Sequence, residues 1–186
     1  MGERLVTNEL VQLVEMHHAA VYRYAFRLTS SVTDAEDLTQ QTYLVAQEKL
    51  SQLRDFSAAR SWLFSILRHV FLKGLRKASP IPVSEPDLEA AAYAPPGPSL
   101  GEIDREALQG ALGRLPEEFR LVVLMFYYED RSYREIANEL DVPIGTVMSR
   151  LSRAKQLLRK HLEREIAPPP IPLDRLAVTR SVATEG

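Results

Sequence analysis

The sequence predicts an all-α protein in which two small helical domains are joined by a flexible Pro-rich linker, with a helix-turn-helix in the C-terminal domain. Apolar residues recur at helical spacing, and we find no run with the alternating pattern of a strand. Six prolines lie between the two groups of helices and oppose helix formation there. We therefore predict domains over residues 1–78 and 101–166, a linker over residues 79–100 and a disordered tail over residues 167–186.

Composition limits the class of protein. The chain of 186 residues contains no cysteine, which excludes disulfides and thiolate metal sites. No apolar run approaches the ~18 residues of a membrane span. The N-terminus has no apolar signal-peptide core. We therefore expect a soluble cytoplasmic protein.

The charged residues are unevenly distributed, although the net charge is only −2. All charged residues within 34–48 are acidic. Residues 49–77 include seven basic residues and a single acidic one. Residues 150–164 carry six basic residues against a single acidic one. Basic and acidic segments that alternate in this way indicate several distinct contact surfaces.

Two helices are predicted at the start of the chain. Apolar residues at helical spacing predict the first over residues 8–28. Thr33 and Glu36 match a capping box, in which each side chain accepts a hydrogen bond from the other residue's backbone N–H. The second helix is therefore predicted to begin there and to run to about Leu50.

A polar loop and a third helix complete the N-terminal domain. Residues 51–59 are polar and irregular, and residues 61–77 show helical spacing again. Its apolar residues are predicted to face the core, and they are Trp62, Ile66, Leu67 and Val70.

The C-terminal domain begins with two predicted helices. Residues 102–113 show helical spacing, and Pro116 suits the first turn of the next helix. Ser132 and Glu135 match a second capping box and predict a short sixth helix, which the Asp-Val-Pro sequence ending at Pro143 terminates.

The last predicted helix completes a helix-turn-helix. Thr146 is predicted to cap it, and Val142, Ile144 and Val147 are predicted to seal the turn. Its apolar stripe comprises Val147, Leu151, Ala154 and Leu158, and its polar, cationic side comprises Ser149, Arg150, Arg153 and Lys155. In such motifs the second helix enters the DNA major groove. The alternative is an ordinary helical hairpin with a solvated basic face.

Three segments resemble a known family. One segment resembles the promoter-binding C-terminal domain of extracytoplasmic-function (ECF) sigma factors, in the sigma-70 family. Its sequence is LPEEFRLVVLMFYYEDRSYREIANELDVPIGTVMSRLSRAKQLLRKHL. A second segment, DAEDLTQQTYLVA, resembles the polymerase-binding segment of that family. A third, SWLFSILRHVFLKGLRK, resembles the family's helix that engages the melting promoter. The segments occur in the family's order, across a linker.

The resemblance implies a protein that binds core RNA polymerase, brings it to a promoter and helps to separate the strands, without enzyme activity. Its implied partners are the beta-prime clamp and beta flap of core polymerase, promoter DNA, and an anti-sigma factor or other regulator. It implies no cofactor, no metal and no membrane insertion. The alternative is a helix-turn-helix transcriptional regulator that is not a polymerase subunit.

The resemblance also implies a polymerase-binding surface on the second helix. It comprises Asp34, Glu36, Asp37, Gln40 and Gln41. Carboxylates suit a basic partner and steer association. The alternative is compensation of the helix dipole by acidic residues in the first turn. Members of the family often have Glu at position 41.

The minus-ten element of the promoter would be bound by a loop and the following helix. The loop residues are Arg54, Asp55, Phe56, Ser57 and Arg60, and the helix residues are Arg68, His69, Lys73 and Arg76. Phe56 could stack on an extruded base, or could anchor the loop to the core. Members of the family often have Asn at position 69 and Asp at position 73.

The minus-thirty-five element would be bound by the last helix. The implied contact residues are Thr146, Met148, Ser149, Arg150, Arg153 and Lys155. A basic residue is common in the family where this chain has Met148, so a thymine methyl contact could replace a phosphate contact there.

A helical metalloenzyme is a more distant alternative, with ligands drawn from Glu15, His17, His18, Glu36 and Asp37. His17 and His18 are adjacent and point about 100° apart on a helix. They cannot easily face one ion.

Overall fold

A computed structural model describes the backbone of residues 2–78 and 105–166, and the side chains of residues 9–75 and 105–163. The predicted linker over 79–100 and the predicted tail over 167–186 lie outside the described residues.

Within the described residues, every regular element is helical, which confirms the predicted fold class. Two 3₁₀ turns, Leu50–Gln52 and Phe56–Ala58, interrupt the predicted loop. The α-helices in chain order are α1 (Gly2–Thr29), α2 (Val32–Glu48), α3 (Ala59–Ala78), α4 (Arg105–Gly113), α5 (Glu117–Tyr127), α6 (Tyr133–Leu140) and α7 (Ile144–Ile166). No helix in these ranges is both long and apolar enough to span a membrane.

The start of α2 differs from the prediction. Ser30 ends α1 in the left-handed conformation, with φ of 55°. The next residue, Ser31, is the N-cap, and its Oγ accepts a hydrogen bond from the Asp34 N–H at 3.3 Å. The predicted cap at Thr33 is therefore wrong, because Thr33 already lies inside the first turn of α2.

The capping box at the start of α6 is confirmed. The Ser132 Oγ accepts from the Glu135 N–H at 3.3 Å, and the Glu135 Oε2 accepts from the Ser132 N–H at 2.9 Å. α6 ends at Leu140, and its C-cap Asp141, with φ of 53°, reverses the chain into the turn of the helix-turn-helix.

The start of α7 corrects two further predictions. The carbonyl of Pro143 accepts from the N–H of Thr146 at 2.9 Å and of Val147 at 3.3 Å, so Pro143 provides the first helical acceptor. Thr146 lies within the first turn and does not cap the helix. Ile144 is 47% exposed and does not seal the turn, whereas Val147 is fully buried.

The two halves of the chain share one hydrophobic cluster. α1, α2 and α3 pack together, and α7 packs against α4, α5 and α6. Helix α1 also packs against α4 and α5 and so joins the halves. Buried members of the cluster include Val21, Tyr24 and Leu28 from α1, Leu63, Phe64 and Leu67 from α3, Val122 and Met125 from α5, and Val147, Leu151 and Ala154 from α7. Each large apolar side chain buried here stabilises the fold by about 1.5–3 kcal/mol.

Candidate nucleic-acid and polymerase interfaces

The outer side of α2 carries the acidic surface. Asp34, Glu36, Asp37, Gln40 and Gln41 are all exposed. The opposite side of the helix is buried, through Ala35, Leu38, Thr39, Thr42 and Ala46. This division orients the five predicted residues outward.

The buried threonines of α2 form their hydrogen bonds within the helix, away from the exposed acidic side. The hydroxyl of Thr39 donates to the Ala35 carbonyl, and the hydroxyl of Thr42 donates to the Leu38 carbonyl, each at 2.7 Å. Leu44, which is 62% exposed, adds an apolar residue that sequence reasoning missed. It lies seven residues after Asp37 and therefore on the same side of the helix.

The loop before α3 is shaped by Asp55. Its Oδ1 accepts from the Ser57 N–H at 2.8 Å, and its Oδ2 accepts from the Ser57 hydroxyl at 2.6 Å. These hydrogen bonds lower the pKa of Asp55 and keep the carboxylate charged. Asp55 and Ser57 are thus paired with each other, and Phe56 between them is 39% exposed.

Apolar residues other than Phe56 hold the loop against the helices. Leu50 and Ala59, at either end of the loop, are buried against Leu13 of α1, and Leu53 and Trp62 pack against them. Trp62 also packs against the main cluster, as predicted for a core residue. Phe56 belongs to neither apolar cluster of the described residues.

The predicted DNA-facing side of α3 is divided by the structure. His69 and Lys73 are exposed and lie four residues apart on one side of the helix. The side chain of Arg76 lies outside the described side chains. Arg68 was expected on this solvent-facing side but is 1% exposed, because the C-terminal half covers it.

Arg68 is the centre of a network that links the two halves. Its NH1 donates to both oxygens of Glu129 at 2.5 Å, and its Nε donates to Glu139 Oε1 at 3.1 Å. Its NH2 also forms an ion pair with Glu139. The hydroxyl of Tyr24 donates to Glu129 Oε1 at 2.6 Å, so that carboxylate has a second hydrogen-bond partner in the N-terminal half.

Burial and charge shift the titration of this network. The pKa of Tyr24 is raised well above its usual range, first by burial and then by the charge of Glu129. Burial by itself lowers the pKa of Arg68, but the acidic groups around it, Tyr24, Glu129 and Glu139, outweigh burial and raise it. The Tyr24 hydroxyl therefore stays protonated and the guanidinium stays charged.

Two other arginines of the N-terminal half stack on an aromatic cluster at the same place. The guanidinium of Arg60 lies 5.3 Å from the ring centre of Phe64 and 5.7 Å from that of Tyr128, and Arg27 lies 4.5 Å from Tyr128. The rings of Tyr24 and Phe64 stack at 4.7 Å. Arg60, predicted to contact DNA, thus contacts the C-terminal half.

Helix α7 presents the predicted DNA-reading side at its first turns. Met148 is 52% exposed, Lys155 is exposed, and Thr146, Ser149, Arg150 and Arg153 are partly exposed. The opposite stripe is confirmed, since Val147, Leu151 and Ala154 are buried and Leu158 is partly buried.

The contacts of Ser149 and Lys155 within the chain are defined. The hydroxyl of Ser149 donates to the Thr146 carbonyl at 3.0 Å, which occupies the proton but leaves the oxygen able to accept. The ammonium of Lys155 lies 5.7 Å from the ring centre of Tyr127. Tyr127 on α5, and Ile144 and Met148 in the first turns of α7, are each about half exposed.

Sequence reasoning missed the residues that join the halves, among them Tyr24, Tyr128, Glu129 and Glu139. Tyr24 lies in the apolar phase of α1 and gives no sign of a polar role. The two glutamates stand among other charged residues and are distinguished only by their long-range partners. Within the described side chains, no group of three His, Asp or Glu residues is close enough to hold a metal ion.

Comparisons with known proteins match both halves of the chain. The family model for sigma-70 region 2 matches residues 13–81, and the model for sigma-70 region 4 matches residues 105–158. The chain is 35% identical over 168 residues to the ECF RNA polymerase sigma factor SigE of Mycolicibacterium smegmatis, covering 88% of this chain and 65% of that protein. It is 33% identical over 154 residues to the ECF RNA polymerase sigma factor SigL of Mycobacterium tuberculosis, covering 81% of this chain and 87% of that protein.

A solved structure is also similar. The sigma factor RpoE of Bartonella quintana, in complex with the anti-sigma factor NepR, matches with a TM-score of 0.58 and 27% identity, covering 84% of this chain and 96% of that one. The chain therefore spans nearly the whole length of RpoE and SigL, but less than two thirds of SigE.

Proposed function

The chain belongs to the extracytoplasmic-function sigma factors of the sigma-70 family, and from this premise we propose that it binds core RNA polymerase, directs it to specific promoters and assists strand separation. The observation that supports this most strongly is the pairing of an exposed acidic surface on α2 with a helix-turn-helix in the other half. A helix-turn-helix regulator that is not a polymerase subunit would not need the acidic surface on α2.

In this proposal each half of the chain has its own binding partners. Residues 1–78 bind polymerase and the minus-ten element, and residues 101–166 bind the minus-thirty-five element. The five exposed residues of α2 contact the beta-prime clamp, where carboxylates meet a basic partner. The C-terminal half contacts the beta flap.

The minus-ten element is proposed to meet the loop before α3 and the outer side of that helix. Arg54 and Phe56 are exposed and could contact an extruded base, while Asp55 and Ser57 hold the loop in shape through their mutual hydrogen bonds. On α3, His69 and Lys73 supply polar and basic groups beside it. Stacking of a base on an aromatic ring is worth about 1–3 kcal/mol.

The minus-thirty-five element is proposed to meet the start of α7. Arg150 and Arg153 are the candidates for base and phosphate contacts, and Met148 is the candidate for a thymine methyl. Thr146 and Ser149 have hydroxyl oxygens near the same turn, and Lys155 lies further along the helix.

We also propose that the chain works in the cytoplasm, without catalytic residues or a cofactor, and that a regulator controls it. The similar RpoE is in complex with the anti-sigma factor NepR. An anti-sigma factor or an equivalent protein is therefore the partner we expect for this chain.

The test is transcription in vitro with core RNA polymerase on a genomic promoter library. Adding the chain should give transcripts from a defined subset of promoters that core polymerase alone does not use. The same chain should co-purify with core polymerase. Promoter binding without any stable association with core polymerase would instead support the separate regulator.

A further inference from the structure

Gly145 occupies a position where the described part of the chain does not itself require glycine. It lies in the first turn of α7 and is exposed. Its φ is outside the left-handed region that favours glycine, and a Cβ built there would meet no atom of the described residues within 4 Å. Neither backbone conformation nor packing therefore explains the absence of a side chain.

The glycine has a cost for the helix. Glycine within a helix is less favourable than alanine, because it loses more conformational freedom on folding. At Gly113 a close contact explains the glycine, since a Cβ there would lie 2.9 Å from the Ser30 Oγ. Gly145 has no such contact within the described residues. A local preference that is broken without compensation is typical of a functional position.

The side of α7 that carries Gly145 is the side that the proposed function turns towards the promoter. Ser149 and Ser152 follow Gly145 by four and seven residues and lie on the same side, away from the buried stripe. Short side chains therefore line the middle of this side. The longer Met148 and Arg153 flank them, each about 70° around the helix in opposite directions.

The dimensions of the two surfaces make the size of these residues important. The DNA major groove is about 12 Å wide, and an α-helix with its side chains is about 10–12 Å across. A helix of that size enters the groove with little clearance. A bare backbone in the first turn therefore allows α7 to lie deeper, so that its flanking side chains come closer to the base edges.

We propose that Gly145 contacts the promoter directly, and that its bare backbone sets the depth at which Met148, Ser149 and Arg153 reach the minus-thirty-five bases. This inference rests on the proposed function. Glycine is kept at this position, at a cost to the helix, because a side chain there would stand between α7 and the groove.

The first test looks for opposite effects of Gly145→Ala on folding and on DNA. The variant should raise the urea midpoint of unfolding by roughly 0.2–0.5 M, because alanine favours the helix. The variant holoenzyme should bind the strongest promoter from the transcription library at least about tenfold more weakly, as for the loss of one base contact. Gly145→Leu should weaken binding further. A glycine with a merely structural role would lower both quantities together.

The matched control is Gly74→Ala on α3. Gly74 is also exposed, with a φ outside the left-handed region and no described atom within 4 Å of a built Cβ. It lies about 100° around the helix from Lys73 and about 140° from His69. This substitution should raise the urea midpoint to a similar extent and should leave promoter affinity within about twofold.

A double-mutant cycle tests the role in setting depth. Arg153→Ala should reduce promoter affinity by a smaller factor in the Gly145→Ala holoenzyme than in the unmodified one. The reason is that a helix held away from the groove no longer brings Arg153 to its contact. Independent positions give additive effects. Equal factors in the two backgrounds would therefore overturn the proposed role.

The remaining outcomes separate this inference from the proposed function. If the unmodified chain directs transcription and the Gly145→Ala holoenzyme binds the same promoter equally well, the role of Gly145 alone is overturned. A urea midpoint that falls in Gly145→Ala would also overturn it, because the fold would then require the glycine. If the unmodified chain gives no promoter-dependent transcription, the proposed function fails and the role of Gly145 fails with it.

Discussion

Arg120 joins three backbone carbonyls at the meeting point of the halves, and replacing it should destabilise the protein measurably. Arg120 is 6% exposed and donates to the carbonyls of Leu28, Gly113 and Leu115, the last two at 2.8 and 2.9 Å. The first belongs to the last turn of α1, and the other two lie at the end of α4 and beyond it. Arg120→Met keeps an unbranched side chain out to about the position of Nε and removes every donor.

The size of the effect follows from these contacts. A hydrogen bond to a charged group contributes about 1.5–3 kcal/mol, and a buried acceptor left without a donor costs about 1–3 kcal/mol. Burial lowers the pKa of Arg120, so the desolvation of its charge offsets part of this gain. We therefore expect a net loss of about 2–4 kcal/mol in the free energy of unfolding, not the full sum of three bonds.

Urea unfolding followed by circular dichroism measures this loss. The midpoint should fall by about 1–2 M in Arg120→Met, given the usual slopes for small proteins. Arg120→Lys keeps a charge with three donors and should fall in between. Arg134→Met, which changes an exposed arginine of α6, should stay within about 0.5 kcal/mol. Equal midpoints for the Arg120 and Arg134 methionine variants would refute the role given to the three carbonyl contacts.

Three further predictions concern the proposed interfaces. Asp37→Lys should weaken binding to core polymerase in a direct titration while the circular dichroism spectrum is unchanged; unchanged affinity would remove α2 from that interface. Exchanging residues 53–59 for the loop of another ECF sigma factor should change the preferred minus-ten bases in transcription, unless α3 sets the preference. Arg150→Ala and Arg153→Ala, compared in the polymerase holoenzyme, should differ: a base contact costs about 1–3 kcal/mol at one promoter position, whereas a phosphate contact flattens the log-affinity against log-salt slope by about 0.9. Normal promoter use by both folded, core-bound variants would exclude α7 as the reader.

The elements that the sequence predicts well depend on neighbours within a few residues. The capping box of Ser132 and Glu135 needs only four consecutive residues, and it forms as predicted. The stripe of Val147, Leu151 and Ala154 needs only helical periodicity, and it is buried as predicted. Neither depends on where the other half of the chain lies.

Competing local signals explain the misplaced caps. Ser31 and Thr33 can both cap a helix, and both are followed three residues later by a carboxylate. The left-handed conformation of Ser30 decides between them, because it turns the chain immediately before Ser31. At α7, the carbonyl of Pro143 starts the helix before Thr146 is reached. The position of a helix cap therefore depends on the backbone conformation of the residue that precedes it.

The burial of Arg68 had no signal in the sequence because its partners are distant. Glu129 lies 61 residues away along the chain and Glu139 lies 71 residues away. Arg68 stands within a basic segment and near two residues that are in fact exposed, His69 and Lys73. Local pattern therefore predicts the same solvated face for all three, and the contact of the two halves decides which one is covered.

The contact between the halves combines apolar packing with a buried charged network. The halves share one hydrophobic cluster, and separating them would expose its apolar surface to water. Beside that cluster, Tyr24, Arg68 and Glu129 meet through hydrogen bonds and ion pairs. Buried ion pairs add little net stability compared with apolar packing of the same volume, because desolvation offsets much of the attraction. Apolar packing therefore supplies most of the stability of the contact, whereas the charged network fixes its geometry, because removing one partner would leave a buried charge without a countercharge.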